Sequence, residues 1–238
     1  MIFIRGKKVL ISLGGTFEPI DSVRGITNKS SGKMGLALAK QAYILGADVT
    51  LIVANVSVEI SPLFNVIPVE TAEQMADAIF NVVRDFDIFI STAAVSDFKV
   101  VQYKNKKIDS ESSLSINLKP TVKIIRKIKQ INPDIFLVGF KAEFNISQDE
   151  IIYCARKQIN DAGTDIVVAN DVSNNFIITT LNTTVIALGR LRKNTFNKKF
   201  PLTNSLLFSS AKMNDGILIV NNVISVKCIG IKKYSALR

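Results

Sequence analysis

The stretch KVLISLGGTFEPIDSVRGITNKSSGKMG, residues 8–35, decides the fold. Lys8 to Leu13 is a short apolar run closed by Gly14-Gly15, which reads as a buried strand ending in a tight turn. From Ser31, apolar residues at Met34, Ala37, Leu38, Ala42 and Leu45 recur at helical spacing, and Gly46 reads as the helix stop. Asp48 to Val53 is the next strand. A strand, a loop, a helix and a second strand form the unit of a parallel sheet covered by helices. The loop between strand and helix, residues 14–35, holds five glycines, six hydroxyl or amide side chains and three cations.

The rhythm continues with a strand over Asn65–Val69, a helix from about Ala72 to Arg84 with Thr71 as its N-cap, and a strand over Asp87–Ala93. A Lys-, Ser- and Asn-rich stretch, Lys99–Ser115, reads as a long mobile loop of the kind that is usually functional. A helix from about Thr121 to Gln130, a strand over Ile135–Gly139, a helix over Gln148–Asp161 and a strand over Asp165–Ala169 complete the run. Phe176–Leu188 is rich in β-branched residues on both sides of Asn182 and reads as an antiparallel hairpin extending the sheet. The last forty or so residues hold one more strand-like run, Ile217–Val226, and are otherwise unassigned. The expected architecture is α/β: a mostly parallel sheet with helices on both faces and a C-terminal antiparallel extension. It is expected as one domain over residues 1–238, with an α/β core at 7–175 and the extension and tail at 176–238.

Composition removes several chemistries. The chain has no histidine, so a Ser/His/Asp triad, a Cys/His pair and a His-ligated zinc are excluded. Its two cysteines, Cys154 and Cys228, lie in unrelated segments and suggest neither a disulfide framework nor a thiolate metal site. No apolar run approaches the roughly 18–20 residues of a membrane span. Met1-Ile-Phe-Ile runs straight into Arg5, Lys7 and Lys8 without the apolar core of a secretory signal, so a soluble protein of the cytoplasm is expected, with no membrane partner. The net charge of +10 first suggests nucleic acid, but the cations are scattered and their clusters short. A solvated surface, or steering of small anionic substrates, fits that spacing better.

Two phosphate-binding patterns fail on spacing. The dinucleotide fingerprint requires G-x-G-x-x-G and an acid at the end of the second strand, whereas here the next glycine after Gly14-Gly15 is Gly25 and the strand ends Val53-Ala54-Asn55. The P-loop requires G-x-x-x-x-G-K-S/T, but Thr27 occupies the first-glycine position and Met34 follows Lys33. A helix N-terminus still begins at Ser30-Ser31-Gly32, which suits a phosphate or carboxylate, or is simply a capped helix after a long loop. Taken residue by residue, Asn28 reads equally as a turn residue, Asp97 as a turn former after its strand, and the Lys104 cluster as solvated. On these grounds alone the reading stops at a nucleotide-binding α/β domain.

Gly14-Gly15-Thr16, Glu18-Pro19-Ile20-Asp21, Val23-Arg24, Ile26, Asn28 and Ser30-Ser31-Gly32-Lys33-Met34-Gly35 together resemble phosphopantothenoylcysteine synthetase. The likeness continues in order through Ala93-Ala94-Val95-Ser96-Asp97-Phe98, Lys104-Asn-Lys-Lys107, Leu118-Lys-Pro-Thr121, Val138-Gly-Phe-Lys-Ala-Glu143 and Ala169-Asn-Asp171, covering roughly residues 7–175. The resemblance implies a Rossmann-like fold. It also implies a CTP-dependent ligase in which 4'-phosphopantothenate attacks CTP, pyrophosphate leaves, and cysteine then displaces CMP from the acyl cytidylate. Magnesium and a homodimer come with that family. So does a phosphopantothenoylcysteine decarboxylase, to which the activity is fused in many organisms; on this expectation the chain is either a free-standing synthetase or a domain excised from such a fusion.

The resemblance also assigns residues. Asn28 would contact the acyl intermediate and serve its conversion to product, Arg24 would orient the phosphopantothenate carboxylate or phosphate, and Lys104 would be the first lysine of a flap that closes over the triphosphate. Gly14, Gly15 and Ser31 would present donors to the phosphates. Ala93 and Asp97 would contact the nucleotide, Lys119, Pro120, Thr121 and Val122 would line its site, and Phe140 would lie beside the cytosine. Two departures bear on nucleotide affinity. Pro120-Thr121-Val122 replaces the family's usual Pro-Asp-Ile, and two usual lysines stand as Gln158 and Ala162, with Lys157 adjacent. Two other readings stay in view: an NADPH-binding reductase, which tight NADPH binding would favour, and a basic RNA-binding or regulatory module, which salt-dependent RNA binding without nucleotide turnover would favour.

Overall fold

The computed structural model describes residues 4–111 and 113–173 and the strands Thr184–Gly189, Ala211–Asn214 and Ile217–Asn221. These fall into two compact units, Gly6–Val138 and a second made of Ile4-Arg5 and the described residues from Gly139 onward.

The first unit runs β1 (Lys8–Leu13), β2 (Phe17–Pro19), β3 (Gly25–Thr27), α1 (Lys33–Ile44), β4 (Asp48–Val53), β5 (Asn65–Pro68), α2 (Ala72–Val82), β6 (Ile88–Ser91), β7 (Phe98–Val100), β8 (Leu118–Pro120) and α3 (Ile124–Ile131). Its sheet has the order β5-β4-β1-β6, with every pair parallel. The central β1 is buried from Val9 to Leu13, and its alternating side chains serve both faces. Leu10 joins Ile52, Phe89, Met75 and Ile79 of α2, and Ile124 and Ile128 of α3. On the opposite face α1 rests on Leu13, so closely that a Cβ added to Gly35 would lie 2.6 Å from Leu13 Cβ. The parallel sheet covered on both faces is therefore present as expected.

Local signals place most of these boundaries. Thr71 caps α2 in a capping box, accepting from the Gln74 N–H at 3.1 Å while its own N–H donates to Gln74 Oε1 at 3.2 Å. Gly46 stops α1 with φ of 85°. The helix starts at Lys33 rather than Ser31, because Gly32 is left-handed at φ 75°. The helix expected from Thr121 begins only at Ile124. Leu118–Pro120 instead pairs antiparallel with Phe98–Val100, and Thr121 donates its N–H to the Asp97 carbonyl and its hydroxyl to that of Ser96. The stretch expected as one loop over 99–115 is tied down inside its length, at Val101, Lys104 and Ile108.

The second unit contains the last residues of β9 (Phe136–Glu143), then α4 (Gln148–Ala162), β10 (Ile166–Asp171), β11 (Thr184–Gly189), β12 (Ala211–Asn214) and β13 (Ile217–Asn221). The strand order is β9-β10-β11-β13-β12, antiparallel from β10 outward. This is the expected antiparallel extension. The turn and first strand of the hairpin expected at Phe176–Leu188 lie outside the described residues, and so does the end of the run expected to reach Val226. Ile151, Ala155 and Ile159 of α4 pack on Val167 and Ala169, and Ser147 with Glu150 forms the helix's capping box.

Asp171 closes this unit's edge by accepting from the Ser173 N–H at 2.9 Å, the Ser173 hydroxyl at 2.8 Å and the Asn145 N–H at 2.9 Å. These donors, led by the Ser173 N–H, hold its carboxyl below the usual range. A folded-state pKa below the unfolded one contributes stability above the ordinary carboxylate pKa of about 4 and loses it as pH falls through the folded value. Wild type and Asp171→Asn should therefore differ in urea midpoint at pH 7 and converge as pH falls through the lowered carboxyl pKa. A gap that stays constant with pH would refute this role.

Candidate active site at the carboxyl edge of the first sheet

Open α/β sheets bind ligands outside the carboxyl ends of their strands, and in the first unit three such ends meet at Gly14-Gly15-Thr16. The Gly15 N–H donates to the Asn55 carbonyl at 2.9 Å, the Ala94 N–H to the Gly14 carbonyl at 2.8 Å, and the Thr16 N–H to the Ala94 carbonyl at 3.2 Å. Both glycines are sterically required. Gly14 has φ of 89° and would put a Cβ 2.6 Å from the Asn55 oxygen, while a Cβ on Gly15 would lie 2.5 Å from the Asn28 carbonyl oxygen. Thr16 is fully buried beneath them. Its hydroxyl accepts from the Ser96 N–H at 2.8 Å and its carbonyl accepts from the Thr27 hydroxyl at 2.9 Å.

This lattice carries Asn28, which is exposed and donates from Nδ2 to the Ala94 carbonyl at 3.3 Å. Asn28, Gly14, Gly15 and Ala94 are thus brought together, while Ala93 packs partly buried against the core. Ser31 sits at the foot of the same loop, its carbonyl accepting from the Ser57 N–H. Beyond it α1 starts at Lys33, with Gly32 as an N-cap that offers no side-chain bond and no acidic residue in the first turn. That end is electrostatically open to an anion.

The remaining predicted residues of this unit occupy definite places. Arg24 donates from Nη2 to the Ile108 carbonyl at 3.2 Å. Lys104 keeps an exposed side chain, and its N–H donates to the Ile20 carbonyl at 3.1 Å. The exposed Asp97 carboxylate pairs with Lys123. Lys119 stands opposite Lys99 in the β7–β8 ladder. Glu73, on the first turn of α2, is held below the usual carboxylate range by Lys99, with a smaller contribution from Lys119. Pro120 faces Phe98 in the ladder, Thr121 bonds Ser96 and Asp97 as described, and Val122 is exposed.

Phe140 lies half-buried on β9 in the second unit. In that unit Ala162 is buried on the packed side of α4. Lys157 is 3.4 Å from Asp161 as an i,i+4 pair, so it forms a surface pair on its own helix.

Three residues quoted only as part of a motif prove to organise the edge. Thr16 is one. Glu18 is buried and accepts from the Ala72 N–H at 2.7 Å, linking the loop to the start of α2; burial raises its carboxyl pKa, partly offset by that N–H. Asp21 is buried and accepts from Val23, Arg24 and Ile108 N–H groups, led by Ile108 in holding its carboxyl below the usual range. Lys123, the partner of Asp97, had no sequence signal beyond its charge. Among the described residues no three carboxylate or thiolate side chains converge as a metal cage would require.

Fold and edge define an open-sheet α/β protein with a glycine-lined strand edge and an exposed amide on it. The chain belongs to the DNA/pantothenate metabolism flavoprotein C-terminal domain family, whose pattern matches residues 4–207. Over 169 residues it is 49% identical to the coenzyme A biosynthesis bifunctional protein CoaBC of Thermococcus kodakarensis, covering 70% of this chain and 42% of that protein. The protein of the same name from Bacillus subtilis is 44% identical over 176 residues, 72% of this chain and 42% of that one. The chain thus spans less than half the length of these curated relatives. Among solved structures it is similar to the DNA/pantothenate metabolism flavoprotein of Streptococcus pneumoniae, with a TM-score of 0.71 at 28% identity over 79% of this chain and 90% of that one. A Cab2 mutant in complex with phosphopantothenate-cysteine shares the fold, with a TM-score of 0.64 at 21% identity over 78% of this chain and 77% of that one.

Proposed function

We propose that this chain is a phosphopantothenate–cysteine ligase that uses CTP. The observation that carries the reading is the placement of Asn28 over the Ala94 carbonyl and against the Gly14-Gly15 turn, at the edge where an open sheet receives its ligand. Membership of a family that includes coenzyme A biosynthesis proteins supports the substrate class.

In this reading the triphosphate lies across the open N-terminus of α1, with Lys33 and the lysine tract from Lys104 neutralising its charge. The carboxylate oxygen of 4'-phosphopantothenate bonds to the α-phosphorus of CTP as the bond to the β-phosphate breaks, and pyrophosphate leaves. The amine of L-cysteine then attacks the acyl carbon, the bond to the CMP oxygen breaks, and the amine loses a proton. Asn28 holds the acyl carbonyl oxygen with an uncharged donor through this second step. Its long bond to Ala94 costs little to exchange for the substrate.

Magnesium, when bound with the nucleotide, neutralises phosphate charge, and the phosphates and water supply most of its ligands. The absence of a three-acid cluster among the described residues is compatible with that arrangement. Arg24, through its guanidinium, serves the substrate's anionic end, and Asp97, once released from Lys123, serves the nucleotide. Phe140, Ala93 and residues Lys119–Val122 belong to the same proposal. So do a homodimeric state, a cytoplasmic location and a phosphopantothenoylcysteine decarboxylase acting on the product. Among the described residues no helix is long and apolar enough to cross a membrane.

With 4'-phosphopantothenate, cysteine and magnesium present, CTP should support product formation at least about tenfold better than ATP or GTP at equal concentration, a preference of roughly 1.4 kcal/mol. Parallel turnover assays would measure this. Equal rates with all three nucleotides would remove CTP from the account, and no turnover with any of them would remove the ligase.

A further inference from the structure

Asp21 does more in this structure than close a turn. Its side chain is fully buried, and Oδ1 accepts from the Val23 N–H at 2.8 Å and the Arg24 N–H at 2.7 Å. The Arg24 carbonyl in turn accepts from the Ile20 and Asp21 N–H groups at 2.8 and 3.2 Å. The segment Ile20–Arg24 is thus a self-bonded knot. The second carboxylate oxygen, Oδ2, is spent on a residue 87 positions away, accepting from the Ile108 N–H at 3.0 Å. The Ile108 carbonyl is held from the same knot by Arg24 Nη2 at 3.2 Å, and Arg24 Nη1 is 3.8 Å from Asp21 Oδ2. Four residues earlier, the Lys104 N–H bonds the Ile20 carbonyl at 3.1 Å, making a parallel bridge beside Asp21.

Both ends of the tract Lys104-Asn105-Lys106-Lys107 are therefore fastened to one five-residue knot, and the tract's side chains remain exposed. Three like charges on so short an excursion repel one another and favour a detached, solvated loop. A buried carboxylate bonded to the tract's far end opposes that tendency, because releasing Ile108 leaves a desolvated acceptor unsatisfied. Asp21 has no hydrogen-bond donor to offer and, being buried, no room to face an incoming anion.

We propose that Asp21 is a positioning residue: its carboxylate clamps the Ile108 peptide and so keeps the lysine tract docked where its cations meet the nucleotide's phosphates. The proposal rests on the ligase reading for its catalytic consequence but not for the clamp itself. Asp21→Asn isolates the clamp. Its amide oxygen satisfies the Val23 and Arg24 N–H groups, whereas its NH₂ meets the Ile108 N–H donor to donor, so the knot persists and the tract is released.

The full-length variant should keep the wild-type circular dichroism spectrum and be cut by trypsin after Lys104, Lys106 or Lys107 roughly tenfold faster, because a charge-assisted bond holding the closed form is gone. Its apparent KM for CTP should rise by roughly tenfold while that for cysteine stays unchanged, a split that a general loss of folding would not produce. Ile108→Pro, which removes the N–H from the other side, should raise the KM for CTP likewise and speed cleavage after Lys104 and Lys106, its Lys107–Pro bond being resistant to trypsin, and it serves if Asp21→Asn folds poorly. Unchanged trypsin cleavage in the folded variants would overturn the clamp. Faster cleavage with an unchanged KM for CTP would overturn its role in catalysis. Failure of the wild type to turn over any nucleotide would show separately, as a defect of the ligase reading with the cleavage result intact.

Discussion

Asn28→Ala should release pyrophosphate from CTP and 4'-phosphopantothenate at close to the wild-type rate, yet form product with cysteine roughly 10²- to 10³-fold more slowly, the usual cost of removing one donor to a developing oxyanion. The asymmetry follows from where the amide stands. Asn28 is exposed at the strand edge, and its single bond, to the Ala94 carbonyl at 3.3 Å, is long enough to be traded for a substrate oxygen. Removing it strips no buried group of its only partner, since the Ala94 carbonyl also receives the Thr16 N–H. The fold should therefore tolerate the change. Rapid-quench measurement of pyrophosphate and product from one reaction separates the two steps. An equal loss in both would show that Asn28 merely shapes the site.

Gly15→Ala should instead damage both steps. The added methyl would stand 2.5 Å from the Asn28 carbonyl oxygen, and backbone oxygen has no rotamer by which to move aside. Either the Asn28 peptide is displaced or the bonds joining Gly15 to Asn55 open. The packing cost is about 1–3 kcal/mol, and displacement of a reacting group by about an ångström costs on the order of 10²-fold in rate. Gly6→Ala is the control. Gly6, unlike Gly15, has positive φ, 73°, and nothing lies near its Cβ position, so it should lose some stability and keep full activity. If Gly15→Ala turned over like Gly6→Ala, the close approach of Gly15 to Asn28 would have no catalytic weight.

Much of the fold was legible because its signals are local. The Lys8–Leu13 run, Gly14-Gly15, the Thr71 N-cap and the Gly46 stop each depend on residues within a turn or two of one another, and each is found where the spacing places it. The family resemblance brought Asn28 and the glycine turn into one site before any geometry was known. What could not be read depends on distant partners. Nothing near Asp21 in the chain announces that its carboxylate reaches Ile108, and nothing in the Lys99–Ser115 composition distinguishes an anchored tract from a free one. The start of α3 was misplaced for the same reason: Leu118–Pro120 has too few residues to show an alternation, and only Phe98–Val100, far upstream, makes it a strand. The missing lysine at Ala162 was visible as a departure, and the burial of that position on the packed side of α4 was not.

The most direct test of the account is pyrophosphate release in a reaction that contains CTP, magnesium and 4'-phosphopantothenate but no cysteine. The account predicts release that depends on both the nucleotide and 4'-phosphopantothenate and stops at about one equivalent per site, because the acyl cytidylate waits for its amine. No pyrophosphate until cysteine is added, or release that does not depend on 4'-phosphopantothenate, would contradict it.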